Sequence, residues 1–161
     1  MDAIQYHPIG IIHTPHQTTE GTPIQPTGAR DVEGSIEIFP KYTSGLVDLS
    51  GFSHIFILYH FHLAKKYNLA VKPFLDDQKR GLFATRAPAR PNPIGLSVVR
   101  LIDITNGNLR VRDIDVVDGT PLLDIKPYVP EFDVREVDQI GWLGKKSGKV
   151  EDVVDDGRFS T

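Results

Sequence analysis

The sequence predicts an all-β domain: a small closed β-barrel with long loops and few short helices. Its apolar residues come in short, β-branched runs, and 14 glycines and 12 prolines punctuate those runs. No segment sustains a helical period. About seven to nine short strands in one small chain favour closure, because a closed sheet leaves no exposed edge.

Residues 5–13 read as the first strand, with Ile9, Ile11 and Ile12 apolar. Residues 14–34 carry Pro15, Pro23, Pro26 and Gly28 and read as a long loop, the kind that in compact domains is usually functional or mobile. Residues 35–39 alternate as a half-buried strand, and residues 41–49 form a short helical turn. Residues 53–62 are nearly all apolar and β-prone, which suits a central strand. Residues 81–84 make a short strand running into a loop at 85–93. Strands at 95–105 and 109–114 flank Asn106-Gly107, the strongest hairpin signal in the chain. A last strand at 122–128 stops near Pro127 and Pro130.

With 161 residues the chain is about one domain, at roughly 150 residues per domain. Residues 1–140 are expected to form the barrel, and 141–161 a polar tail, frayed or docked on a partner, with no second domain. The apolar fraction of 40% suffices for a core without staples. The absence of cysteine excludes disulfides, thiolate metal sites and a cysteine nucleophile. Apolar runs are too short for a membrane span, and Met1–Gln5 shows no secretory signal, so a cytoplasmic location is expected.

The net charge of −3 argues superficially against a nucleic-acid partner. Its distribution argues otherwise. Residues 65–112 carry ten basic and three acidic side chains, a net +7, between flanks of −4 and −6. Association follows local potential more than total charge.

Three segments carry chemistry. In residues 84–95, Pro88, Pro91 and Pro93 stiffen a loop that bears Arg86 and Arg90. Rigid backbone lowers the ordering cost of binding, and each guanidinium offers a fork for carboxylate or phosphate. In residues 115–128, Asp118-Gly119 makes a turn, while Asp124 and Lys126 share a strand face as an ion pair or as cavity-lining groups. His60 and His62 share a face at the end of the central strand. Such a pair can ligate a divalent metal, although no third ligand stands at recognisable spacing and none is expected. No Gly-rich phosphate loop or GxSxG elbow occurs, so a Rossmann-type site is not supported.

These segments resemble the tRNA methyltransferase O family, also called TsaA-like. The matching blocks are Gly10-Ile11-Ile12 with Thr14-Pro15, Gln25-Pro26, Gly51-Phe52-Ser53-His54 leading to Phe61-His62, and Phe83-Ala84-Thr85-Arg86. Arg90-Pro91-Asn92-Pro93-Ile94-Gly95 and Val117-Asp118-Gly119-Thr120-Pro121 through Asp124-Ile125-Lys126-Pro127-Tyr128 complete them, in family order. The resemblance implies a β-barrel that binds S-adenosylmethionine, acts as a homodimer, and methylates N6 of N6-threonylcarbamoyladenosine beside the tRNA anticodon. Many members carry a basic residue where this chain has Ile24.

Carried onto this sequence, the resemblance implies cofactor contacts at Ile24, Gln25, Pro26, His62, Leu63, Arg86, Leu96, Arg112, Asp113, Ile114 and Asp115. Within that set, Arg86 is expected to meet the cofactor carboxylate, and main chain near residues 113–115 the adenine edge. Asp118, Asp124 and Tyr128 are the candidates for handling the acceptor proton; each also has a structural reading, as turn, ion pair or packing residue. Lys65, Lys66 and Arg90 are expected to grip RNA, with further grip from a second copy of the chain. A binding module without catalysis and a metal-dependent barrel enzyme using His60 and His62 are the alternatives.

Overall fold

The computed structural model of the chain describes residues 2–24, 26–145, 154–156 and 159. Among these residues there are eight strands: β1 (Gly10–His13), β2 (Glu33–Ile38), β3 (His54–His60), β4 (Ala70–Val71), β5 (Arg80–Gly81), β6 (Ile94–Thr105), β7 (Asn108–Arg112) and β8 (Thr120–Pro127). Six close into a barrel in the order β1-β2-β7-β6-β3-β8, with every pairing antiparallel. β4 and β5 pair separately. Helical structure is limited to short turns such as Pro26–Ala29, Pro40–Leu46 and Pro130–Asp133.

The period-two pattern of the strands builds the interior. Ile36 and Ile38 of β2, Ile55, Ile57 and Tyr59 of β3, Val99 and Leu101 of β6, and Leu109 and Val111 of β7 are buried in one cluster with Ile12, Ile114 and Leu122. Each fully buried isoleucine contributes about 1.5–3 kcal/mol by leaving water. The β6–β7 hairpin turns on Asn106 (φ 51°) and Gly107 (φ 78°), the left-handed pair that matches strand twist. At Gly95 the Tyr59 ring occupies the space a Cβ would need, so β6 can pass over that ring only with glycine there.

Several elements differ from the sequence expectation. β1 begins only at Gly10. The expected strand at 81–84 is cut to Arg80–Gly81, because Thr85 turns back and gives both its N–H (3.0 Å) and its hydroxyl (2.8 Å) to Leu82 O. The pairing of β4 with β5 was not anticipated at all. Described parts of the polar tail, expected to be frayed or docked on a partner, lie against the chain's own loops. Trp142 Nε1 donates to Ala84 O at 2.8 Å, and Arg80 lies 5.8 Å from the Trp142 ring. Phe159 meets Phe74 edge-on at 5.1 Å. Asp155 N donates to Thr22 O and Asp155 O accepts from Gly21 N, beside a bridge between Pro23 and Val154.

Candidate functional site

A cleft of about 810 Å³ opens where β3 ends, β6 begins and the connection from β7 enters β8. One wall is the exit of β3, from Tyr59 through Phe61, His62, Leu63 and Ala64, with Ile94, Gly95 and Leu96 of β6 beside it. Opposite elements contribute Thr19 to Ile24 of the first loop, Pro73 to Leu75, and Phe83 to Arg90 of the proline-stiffened loop. Asp115, Val116, Val117 and Thr120 line it from the β7–β8 connection. Trp142, Leu143, Asp155 and Phe159 complete it from the C-terminal segment. Its walls are mostly apolar, with a few convergent polar groups, as small-molecule sites are.

The stiff loop is braced by its own side chains. Thr85 Oγ1 accepts from Ala87 N at 3.3 Å, and Arg90 Nη1 donates to Thr85 O (3.0 Å) and Ala87 O (3.2 Å). The Arg90 guanidinium also lies 5.7 Å from the Phe83 ring. Arg90 thus holds the loop that presents Arg86 to the cleft.

Two polar devices stand in the wall. Ser97 Oγ gives its only proton to Asp115 Oδ1 at 2.7 Å, so across the 3.1 Å contact Tyr59 donates to Ser97. Both hydroxyl protons therefore run toward Asp115. Burial pushes the Asp115 carboxyl up to about 6, against the opposing pull of the Ser97 donor, its own backbone N–H and the Arg86 charge. Burial, reinforced by the Asp115 charge, also raises the Tyr59 phenol. At the second device, Thr120 Oγ1 donates to Val117 O at 2.6 Å and so must accept across its 3.2 Å contact with His62 Nδ1. The neutral imidazole then carries its proton on Nδ1 and leaves Nε2 as an acceptor. Partial burial, and next the charge of His60, lower the His62 pKa and favour that neutral form.

The cleft gathers Ile24, His62, Leu63, Arg86, Leu96 and Asp115 from the residues singled out in the sequence. Gln25 lies outside the described residues, and Pro26 opens the short helix Pro26–Ala29. Arg112, Asp113 and Ile114 do not line the cleft. Arg112 pairs with Glu33 at 2.9 Å and Asp31 at 3.7 Å. The N–H groups of Asp113 (2.9 Å) and Ile114 (3.4 Å) both donate to Val32 O, and Ile114 belongs to the core. The main chain at 113–114 is thus engaged with the loop before β2.

Asp118, Asp124 and Tyr128 also lie outside the cleft lining. Asp118 Oδ1 accepts from Thr14 N at 3.0 Å, while Thr14 Oγ1 donates to Val116 O at 2.7 Å, stitching the β7–β8 connection to the end of β1. Asp124 pairs with Lys126 at 2.9 Å, the ion-pair alternative. Tyr128 packs edge-on against Phe56 at 5.4 Å, and its N–H donates to His54 O at the start of β3. The cleft lies at the other end of that strand, roughly 20 Å away at about 3.3 Å per residue.

Much of the basic window is neutralised. Arg80 pairs with Asp76 at 2.6 Å, Lys72 with Asp77 at 3.2 Å, and Arg110 with Asp103 at 2.9 Å. Lys65 and Lys66 are exposed just beyond Ala64 at the cleft rim. Among the described residues, no group of three or more His, Cys, Asp or Glu side chains could hold a metal ion, and no helix is long and apolar enough to cross a membrane. Sequence reasoning missed Tyr59, Ser97, Trp142 and Phe159. The only available signals were a tyrosine in an otherwise apolar run and two aromatics in a polar tail.

Known proteins share this architecture. The family described as tRNA-methyltransferase O N-terminal domain matches residues 11–134. A Pyrococcus abyssi protein named a probable S-adenosyl-L-methionine-binding protein is 58% identical over 97% of this chain and 85% of its own length. A mouse tRNA (adenine(37)-N6)-methyltransferase is 37% identical over 78% of this chain and 31% of its own. The crystal structure of TrmO from Pseudomonas aeruginosa superposes with a TM-score of 0.73 at 36% identity, covering 88% of this chain and 63% of that one. The chain therefore spans less than two thirds of that solved relative. A match along most of the sequence, joined to a common fold at more than a third identity, makes this chain a member of the tRNA-methyltransferase O family.

Proposed function

We propose that the chain binds S-adenosylmethionine in the cleft and transfers its methyl group to N6 of an adenosine in tRNA, the nucleoside being N6-threonylcarbamoyladenosine beside the anticodon. One observation carries this reading: an apolar cleft of about 810 Å³ with the Arg86 guanidinium and the Asp115 carboxylate in its walls. The donor set suits the cofactor. Its carboxylate requires a cationic partner, its amine and sulfonium require acceptors, and its adenine requires an apolar slot. Arg86 supplies the first, His62 Nε2 the second, and Ile24, Leu63 and Leu96 apolar surface, with the main chain at Asp115 toward the adenine edge. Arg112, Asp113 and Ile114, the residues leading into Asp115, are anchored to Glu33 and Val32. The cofactor supplies a methyl group on a cationic sulfur; the protein's part is to position the two reactants and exclude water, which can provide most of the acceleration.

Lys65 and Lys66 at the rim, with Arg90 in the stiff-loop wall, grip the RNA backbone. The chain works as a homodimer, joined through the outward row of Phe56 and Leu58 on β3 and Leu96 and Val98 on β6, four apolar side chains on adjacent strands.

Mass spectrometry of nucleosides from tRNA incubated with the protein and methyl-labelled cofactor tests the activity. Label in N6-methylated threonylcarbamoyladenosine is expected. Cofactor binding without label in any nucleoside would instead favour a binding module. For the site, Arg86→Ala is expected to weaken cofactor affinity at least tenfold by calorimetry, a charge-assisted contact being worth about 1.5–3 kcal/mol. Unchanged affinity would remove Arg86 from the site.

A further inference from the structure

We propose that Asp115 is the general base of the methyl transfer, with Ser97 and Tyr59 as the positioning residues that aim it. The proposal rests on the reading that the cleft holds the methyl donor. An exocyclic nitrogen conjugated to a carbamoyl group is a poor nucleophile while it keeps its proton, so a base in the cleft is the chemical need left unmet.

The geometry selects the residue. Among the described residues, the ionisable side chains lining the cleft are Tyr59 from β3, His62 from its exit, Arg86 and Arg90 from the stiff loop, Asp115, and Asp155 from the C-terminal segment. Arg86 and Arg90 cannot accept a proton, Tyr59 is a donor committed to Ser97, and His62 Nε2 is the acceptor already assigned to the cofactor's cation. Asp155 belongs to the C-terminal segment that lines the cleft, held by backbone bonds to Gly21 and Thr22. Asp115 remains, fixed from within the barrel, where Ser97 (2% exposed) and Tyr59 (5% exposed) donate in series to Oδ1. That leaves Oδ2 to take the proton. Burial disfavours the charged carboxylate and opposes the Ser97 and Arg86 contributions, which poises the group at about 6. It is ionised at neutral pH yet more basic than a free aspartate.

In the step, the acceptor N–H bond breaks and its proton passes to Asp115 Oδ2. The nitrogen pair forms a bond to the methyl carbon as the carbon–sulfur bond breaks, its pair staying on sulfur as a neutral thioether. The proton then leaves to solvent through the mouth of the cleft. Charge balances, because a carboxylate and a sulfonium become a carboxylic acid and a thioether.

Asp115→Asn keeps the shape and the Ser97 bond while removing the base. Its cofactor affinity by calorimetry is expected within about threefold of wild type, and its single-turnover methyl transfer slower by about 10²–10⁴-fold. Ser97→Ala keeps the carboxylate and removes a donor that favours its charge, so the acidic limb of the rate profile is expected to move to higher pH. Melting temperature gives a readout independent of turnover. The folded pKa lies above the unfolded value of about 3.9, so the native state binds the extra proton and wild type loses stability as pH rises from about 4 to 6. Asp115→Asn should not share that loss.

Loss of cofactor affinity in proportion to rate would make Asp115 a cofactor ligand and overturn the proposal. So would an undiminished rate in Asp115→Asn, an acidic limb unmoved by Ser97→Ala, or identical pH–melting curves. A wild-type protein that binds no S-adenosylmethionine would bring down the functional reading first, and this one with it.

Discussion

The two sides of the barrel wall solve the same problem differently. On β2 and β7 the outward positions carry charge, and that charge is paired: Arg112 with Glu33 across the two strands, Arg110 with Asp103 on β6. On β3 and the first half of β6 the outward row is apolar, with Phe56 opposite Val98 and Leu58 opposite Leu96, the last 54% exposed. The pleat is the same on both sides and only the outward residue type differs. A wall that neutralises its own charge is at home in water, whereas a wall of contiguous apolar side chains is finished only by something laid against it.

Leu58→Glu attacks the apolar wall and carries the largest expected effect. It should leave the barrel folded by circular dichroism, yet shift sedimentation from dimer to monomer. A dimer that survives it would dissolve the contrast. Gly95→Ala comes next, at the join of that wall with the cleft. Its methyl meets the Tyr59 ring, so about 1–3 kcal/mol of stability should be lost in urea unfolding, as overpacked cores lose. Arg110→Ala, on the charged wall, is expected to cost less than about 1 kcal/mol and leave the sedimentation profile unchanged, since both partners of its ion pair are about half exposed. A large effect there would mean the charged wall also holds a partner.

Local chemistry made part of this molecule readable. Asn106-Gly107 announces its hairpin because only residues tolerant of positive φ close so tight a turn. The prolines around Arg86 likewise announce a stiff loop. Strand boundaries were less legible: Gly10 starts β1, whereas the apolar pattern began earlier. What the sequence hid depends on distance along the chain. Nothing near Ser97 says that its hydroxyl meets Asp115 from a different strand connection, or that Tyr59 donates to it from 38 residues away. The net +7 of the middle window suggested a local basic surface, but several partners of those arginines and lysines come from outside it or from its own acids, leaving Lys65, Lys66, Lys79 and Arg100 as the exposed remainder. Phe159 looked like part of a polar tail because its partner, Phe74, is remote in sequence.

Closure of the ring has a further consequence. A closed sheet has no terminal strand to peel away, so it must open at its weakest ladder. The β1–β8 ladder has three residue pairs where β3–β6 has seven, and Asp118 and Thr14 reinforce it from just beyond the strand ends. That seam includes Thr120, paired with Ile12, whose hydroxyl decides which His62 nitrogen keeps its proton. Breathing of the seam would therefore let the imidazole exchange tautomers. The mechanical fluctuation of the barrel and the polarity it presents to a ligand are then a single variable.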